Sequence, residues 1–160
     1  MTSSMRLLFV CTGNTCRSAM AQAIGRAAVS RYPNATITFD SAGTSAWDGA
    51  PASDGALLVG LERKLDLNGH RARVLTRELI DTSDLILGMG IHHVERASVL
   101  GGEGKTFLLA DYAQRATTGQ VIADPFGGDL DLYRSTADEL ERMVDLAIAR
   151  IAEAKAPDAT

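Results

Sequence analysis

Two cysteines, an arginine and a serine fall within one short stretch near the start of the chain, Val10-Cys11-Thr12-Gly13-Asn14-Thr15-Cys16-Arg17-Ser18. The apolar run Leu7-Leu8-Phe9-Val10 precedes it, and a segment of helical periodicity opens at Ser18. Strand, small-residue loop and helix in that order build an anion site, because loop N–H groups and the helix N-terminus converge on one point. Cys11 stands at the entrance to the loop and Arg17 at its exit. Loop amides, helix dipole and guanidinium together stabilise a thiolate. The planar fork of Arg17 suits the oxygens of a phosphoryl group. These residues predict a nucleophile and a phosphate cradle in one loop, and hence phosphoryl transfer to sulfur and then to water. The ATP-binding pattern Gly-x-x-x-x-Gly-Lys-Ser/Thr is absent, since no lysine lies between Cys11 and Ser18.

Such a reaction needs an acid for the leaving group and a base for the water, and one carboxyl group can serve as both in turn. The chain has 20 acidic residues, so number alone does not choose. Asp124 stands out, because Asp124-Pro125-Phe126-Gly127-Gly128 is a stiff, glycine-flanked loop that can hold a carboxylate in place. Asp129 and Asp131 read instead as the opening of the last helix.

The elements that must position these groups alternate between the two periodicities. Arg6–Val10 is a short buried strand. From Ser18, Met20, Ala23, Ile24, Ala27 and Ala28 form one helical face that stops near Tyr32-Pro33. Ala35–Phe39 alternates as a second strand, after which Asp40–Thr44 is expected to turn away. Ser45–Pro51 is a loop carrying Trp47. Ala52–Leu65 returns to helical spacing, Asn68-Gly69 marks a turn, and Thr76–Ile80 is a short helix with Thr76 as its cap. Asp84–Met89 is a third strand, Gly90–Leu100 a helix ended by Gly101-Gly102, and Thr106–Leu109 a fourth strand. Ala113–Val121 reads as loop, and Ser135–Ala154 as a long final helix with Leu140, Met143, Val144, Ala147, Ile148 and Ile151 on one face. Alternating strands and helices predict an α/β fold: a single three-layer domain, a four-stranded parallel sheet with helices on both faces. The domain is expected over residues 1–155, with 156–160 a disordered tail. Ligands in such sheets lie beyond the carboxyl ends of the strands, where Cys11 falls.

Composition narrows the class. The chain has 160 residues, enough for one core. Its formal charge of −4 argues against a general nucleic-acid surface. No apolar run approaches the length of a membrane span. The opening residues 1–6 lack the apolar stretch of an export signal. Both cysteines sit in one loop, which is no secreted disulfide framework. A reduced, cytoplasmic setting is expected, with no nucleic-acid or membrane partner.

The run Phe9-Val10-Cys11-Thr12-Gly13-Asn14-Thr15-Cys16-Arg17-Ser18 resembles the low-molecular-weight protein tyrosine phosphatase family, and the resemblance covers essentially the whole chain. It implies that Asp124-Pro125-Phe126 carries the general acid and that Cys11 and Arg17 are nucleophile and phosphate clamp. It further implies that Ser41 and His70 support the loop asparagine, Asn14, whose backbone tolerates the left-handed region. Ser18 is expected to hydrogen-bond the Cys11 sulfur. Thr12, Gly13, Asn14, Thr15, Cys16 and Ser18 complete the phosphate loop. The chemistry implied is a double displacement through a cysteinyl phosphate, with inorganic phosphate as product and neither metal nor cofactor. One departure is Ala19, where the family usually has proline at the first helical turn. Cys16 is either a buried filler or a disulfide partner for Cys11.

The resemblance leaves the phosphorylated side chain open between two readings. Thr15 occupies a place where tyrosine-specific relatives often carry isoleucine. With Phe126-Gly127-Gly128 and Tyr133 it resembles the protein arginine phosphatase branch. Trp47 and Phe126 could wall a phenyl ring or sandwich a guanidinium. Phosphoarginine on a protein is favoured slightly, with phosphotyrosine the alternative. An arsenate reductase would need further cysteines, and none follows Cys16. A non-catalytic phosphopeptide reader would not be expected to keep nucleophile, arginine and acid together. His92 and His93 are adjacent, so a helix would point them about 100° apart, and both are expected on the surface.

Overall fold

A computed structural model describes residues 4–155 of the chain. The element order is β1 (Met5–Cys11), α1 (Arg17–Ala28), β2 (Ile37–Gly43), α2 (Asp54–Glu62), α3 (Arg77–Thr82), β3 (Leu85–Gly88), α4 (Ile91–Ala97), β4 (Thr106–Leu108), α5 (Leu109–Gln114) and α6 (Leu130–Lys155). The four strands form one sheet in the order β2-β1-β3-β4. All three pairings are parallel. The expected residues 156–160 tail lies outside the described residues.

Why the sheet is covered on both faces follows from the alternation along its strands. In β1, Leu7, Phe9 and Cys11 enter the larger core, and Leu8 and Val10 enter the smaller one. β3 divides likewise, with Leu85 and Leu87 on one side and Ile86 on the other. Strands buried on both faces need crossover helices above and below. α1, α5 and α6 roof the larger core, and α2 adds Ala56 and Val59 to it, packed against α6. α3 and α4 close the smaller core through Ile80 and Ala97. The face of α6 read from the sequence is buried as expected at Leu140, Met143, Val144, Ala147, Ile148 and Ile151. Each large apolar side chain there contributes about 1.5–3 kcal/mol by leaving water.

β2 and β3 lie on opposite sides of β1, so the chain reverses its winding there. The crevice between the carboxyl ends of β1 and β3 is the switch point, the place where such sheets take ligands. The Cys11 loop leaves β1 into this crevice.

Four elements differ from the sequence expectation. β2 runs on through Asp40, Ser41, Ala42 and Gly43 where a turn was expected. Those residues pair with Leu8, Phe9, Val10 and Cys11, and pairing with a buried central strand overrides their turn-like composition. α5 was not anticipated; Leu109 and Ala110, apolar like the strand before them, open a helix instead. α6 begins at Leu130, five residues ahead of Ser135. Asp129 Oδ1 accepts the Leu132 N–H at 2.9 Å, which caps that first turn. α4 closes at Ala97 and continues as a π-helical turn over Ser98–Gly102, where Gly101 has φ +109°.

Candidate active site

The phosphate loop is built around Asn14. Its φ is +57°, in the left-handed region that asparagine tolerates, and its side chain is fully buried. The Arg73 N–H donates to Asn14 Oδ1 at 3.0 Å, which fixes the amide's orientation. Asn14 Nδ2 then faces two hydroxyls, Ser18 Oγ at 2.8 Å and Ser41 Oγ at 2.9 Å. His70 Nε2 donates to the Asn14 carbonyl at 2.6 Å. Three segments thus converge on one residue: α1 through Ser18, β2 through Ser41, and the loop before α3 through His70 and Arg73. Burial, and then the nearby Arg26, Arg71 and Arg73, push the His70 pKa down, against the upward pull of its bond to Asn14. Gly43, at the end of β2, leaves room for the loop: a Cβ there would strike the Thr12 carbonyl and stand 2.9 Å from the Asn14 nitrogen.

Ser18 takes its direction from this brace. Its oxygen accepts from Asn14, so its own proton is free to donate to Cys11 Sγ, 2.9 Å away. Cys11 is buried at the foot of a cavity of about 190 Å³. Arg17 leads α1, and its side chain is 7% exposed. Nη1 donates to the Ile122 carbonyl at 2.9 Å, and Nη2 stands 3.6 Å from Asp124 Oδ2. Ile122 in turn donates its N–H to the Met89 carbonyl just past β3. One residue therefore anchors both Arg17 and the loop bearing Asp124. Asp124 is half-exposed, and its Oδ1 accepts the Phe126 N–H at 3.1 Å.

The cavity is lined by Cys11, Thr12, Gly13, Thr15, Cys16 and Arg17, with Asp124 and Phe126 at its mouth. Trp47, expected as the second wall, does not line it; its loop leaves the ring 83% exposed. Cys16 is buried and lies 3.1 Å from Ser53 Oγ and 3.3 Å from the Tyr133 hydroxyl. Both cysteines are free thiols. Burial and the Cys16 contact push the Tyr133 pKa up to about 12, so it stays a phenol. The sequence reading placed His93 on the surface, and this is corrected: it is fully buried, with Nε2 2.8 Å from Thr12 Oγ1. Its signal was Gly90, a glycine helix cap whose N–H needs an acceptor, supplied by His93 Nδ1 at 2.9 Å. Among the described residues, no helix is long and apolar enough to cross a membrane.

A thiol, a guanidinium and a carboxyl group facing one small cavity at a parallel-sheet switch point can transfer a phosphoryl group to sulfur and then to water. Known proteins are similar to this chain over most of its length. The family model described as low molecular weight phosphotyrosine protein phosphatase matches residues 6–156. A protein-arginine-phosphatase of Bacillus subtilis is 37% identical over 88% of this chain and 92% of its own. The low molecular weight protein-tyrosine-phosphatase PtpB of Staphylococcus haemolyticus is 36% identical over 85% and 92%. A solved YwlE arginine phosphatase mutant, with a phosphorylated active-site serine, superposes with a TM-score of 0.85 at 35% identity, covering 92% of this chain and 95% of its own. With the match spanning nearly its full length, the chain belongs to the low molecular weight phosphotyrosine protein phosphatase family.

Proposed function

We propose that this cysteine-dependent phosphatase hydrolyses phosphoarginine on proteins in a reduced, cytoplasmic setting, without metal, cofactor, nucleic acid or membrane. The observation that carries the reading is the cavity holding Cys11, Thr15, Arg17 and Asp124 together. Arg17 and the loop amides bind the phosphoryl group. The Cys11 thiolate attacks phosphorus, the P–N bond breaks, and Asp124 protonates the departing guanidine nitrogen. Ser18 steadies the sulfur. Asp124, now ionised, takes a proton from water. The water oxygen attacks the cysteinyl phosphate, the S–P bond breaks, and inorganic phosphate leaves with the thiolate restored. Ser41 and His70 act through Asn14, holding the loop in its left-handed turn.

The substrate choice rests on Thr15 and Phe126. A threonine hydroxyl in the cavity wall suits a polar, cationic guanidinium better than isoleucine would, and Phe126 gives that planar group one face to stack on. Trp47 supplies no second face in this arrangement, for a phenyl ring or for a guanidinium, so the aromatic wall does not choose between the two substrates. Phosphotyrosine is the second reading, favoured by the tyrosine phosphatases among the relatives. Both side chains are long enough to bring phosphate to the buried Cys11, whereas phosphoserine is too short.

Steady-state rates on a phosphoarginine peptide and a phosphotyrosine peptide, with Cys11→Ser in parallel, test the reading. The expected result is preferential turnover of phosphoarginine and none by Cys11→Ser. A strong preference for phosphotyrosine would overturn the substrate choice. Turnover of neither, with phosphate still bound, would overturn the hydrolase.

A further inference from the structure

His93 has no exposed surface, although its neighbour His92 on α4 faces water. Both of its ring nitrogens are engaged. Nδ1 accepts the Gly90 N–H at 2.9 Å, so it carries no proton. A neutral imidazole has one N–H, which must then be on Nε2. That nitrogen lies 2.8 Å from Thr12 Oγ1 and is the donor in the bond. The Thr12 oxygen is therefore the acceptor, and its own O–H is left to donate elsewhere. Thr12 follows the nucleophile directly and lines the cavity. His92 Nε2 also lies near the Thr12 hydroxyl, but at 3.5 Å, the outer limit of a hydrogen bond.

We propose that His93 is a positioning residue: a fixed neutral donor that turns the Thr12 hydroxyl so that its proton serves a phosphoryl oxygen in the cavity. The inference rests on the phosphatase reading above and adds to it a donor supplied from the β3 side of the crevice. Burial holds the ring neutral, with its pKa pushed down to about 4. The charges facing it act in opposite senses, His92 and Arg17 against protonation and Asp124 for it. An imidazolium would carry a proton on Nδ1 as well and would lose the Gly90 N–H. In the neutral form, the chain just past β3 and the residue after the nucleophile are tied by one ring.

Two substitutions separate the ring's two bonds. Asparagine reaches as far as Nδ1, so His93→Asn keeps an acceptor for Gly90 but cannot reach Thr12. Glutamine reaches the Nε2 position and offers an amide N–H, so His93→Gln keeps the donor to Thr12. Three readouts serve: affinity for inorganic phosphate by calorimetry, kcat and KM on the two peptides, and the thermal midpoint. His93→Asn should fold and lose about tenfold in phosphate affinity and in kcat/KM, the scale of one directed hydrogen bond. His93→Gln should regain most of that. Thr12→Val should lose as much as His93→Asn, and the double variant no more than either, because the two act through one bond. A folded His93→Asn with unchanged phosphate affinity and turnover would reduce the ring to a helix cap and overturn the inference. So would a double variant whose losses multiply. If the native chain turned over neither peptide, the phosphatase reading would fail, and the phosphate affinities alone would still decide the role of His93.

Discussion

Thr15 carries the substrate argument on one small side chain. It is partly buried in the cavity wall, and its carbonyl accepts the Ser53 N–H at 3.0 Å, so the backbone there is held and the side chain alone is free to vary. Thr15→Ile replaces a hydroxyl with an ethyl group. It narrows the entrance and removes a polar contact, with little effect on the loop that holds Cys11. The expected outcome is a shift in the ratio of kcat/KM toward phosphotyrosine by about tenfold or more, the range that one or two buried methylenes and a lost hydrogen bond produce in a binding pocket. Paired steady-state assays on the two peptides read it directly. An unchanged ratio would move the choice of substrate away from Thr15 to Phe126 and the rim. Residue-scale logic also shows what the sequence could carry. Cys11 and Arg17 were singled out by type and spacing, whereas Asp124, one of 20 acidic residues, was singled out chiefly by the family resemblance. His93 was not read, because the histidine pair by itself does not say which ring turns inward, and the one mark that does, Gly90 three residues before it at the helix cap, went unused.

Gly43 shows how an element, and not a side chain, sets the loop. β2 continues past Phe39 because its last residues pair with the end of β1, and this brings Gly43 level with Cys11. The Thr44 and Ser45 N–H groups then donate to the Cys11 and Thr12 carbonyls, each at 2.9 Å. The phosphate loop is thus stitched to the end of β2 by backbone alone. A Cβ at Gly43 would strike the Thr12 carbonyl, and backbone cannot swing aside as the end of a long side chain can. Gly43→Ala should therefore displace the loop, lowering kcat/KM by about a hundredfold, since small misplacements of a reacting group have costs of that order. Its thermal midpoint should fall by only a few degrees, because the core beneath is untouched. The variant's rates and melting curve, measured side by side, check both halves. Ser41 was singled out through the family resemblance, but Asp40–Thr44 was read as a turn and the strand conformation of Asp40–Gly43 was not anticipated. Local composition favoured a bend, and long-range pairing with a central strand decided otherwise. α5 was hidden for the converse reason, since six residues directly after an apolar strand are too few to display a helical period. The first strand and the last helix were legible as elements because burial on both faces, and along one long stripe, writes a pattern that no neighbour needs to complete.

At the scale of the whole molecule, the crevice is also where the fold is sensitive to acid. His93 and His70 both hold the phosphate loop, and both are pushed below the ordinary histidine range, chiefly by burial. The unfolded chain, with an ordinary pKa of about 6.5, therefore takes up protons that the folded chain refuses. Stability is complete above about pH 6.5. It is lost as pH falls from there toward the folded value, which for His93 is about 4. For His93 alone the full difference is worth about 3 kcal/mol, and about 2 kcal/mol of it is already lost at pH 5, before most carboxylates begin to protonate. Urea unfolding at pH 8 and pH 5 should therefore show a clear drop in native stability. In His93→Asn the drop should be about 2 kcal/mol smaller, with the contribution of His70 remaining. Equal drops in the two proteins would mean that His93 titrates normally in the fold and is not the buried neutral ring described here. The neutral range has a consequence for activity as well. The same two rings brace the loop at Thr12 and at Asn14, so turnover should already decline at pH 5 while the domain is still folded, since a loss of about 2 kcal/mol is smaller than the usual stability of a domain.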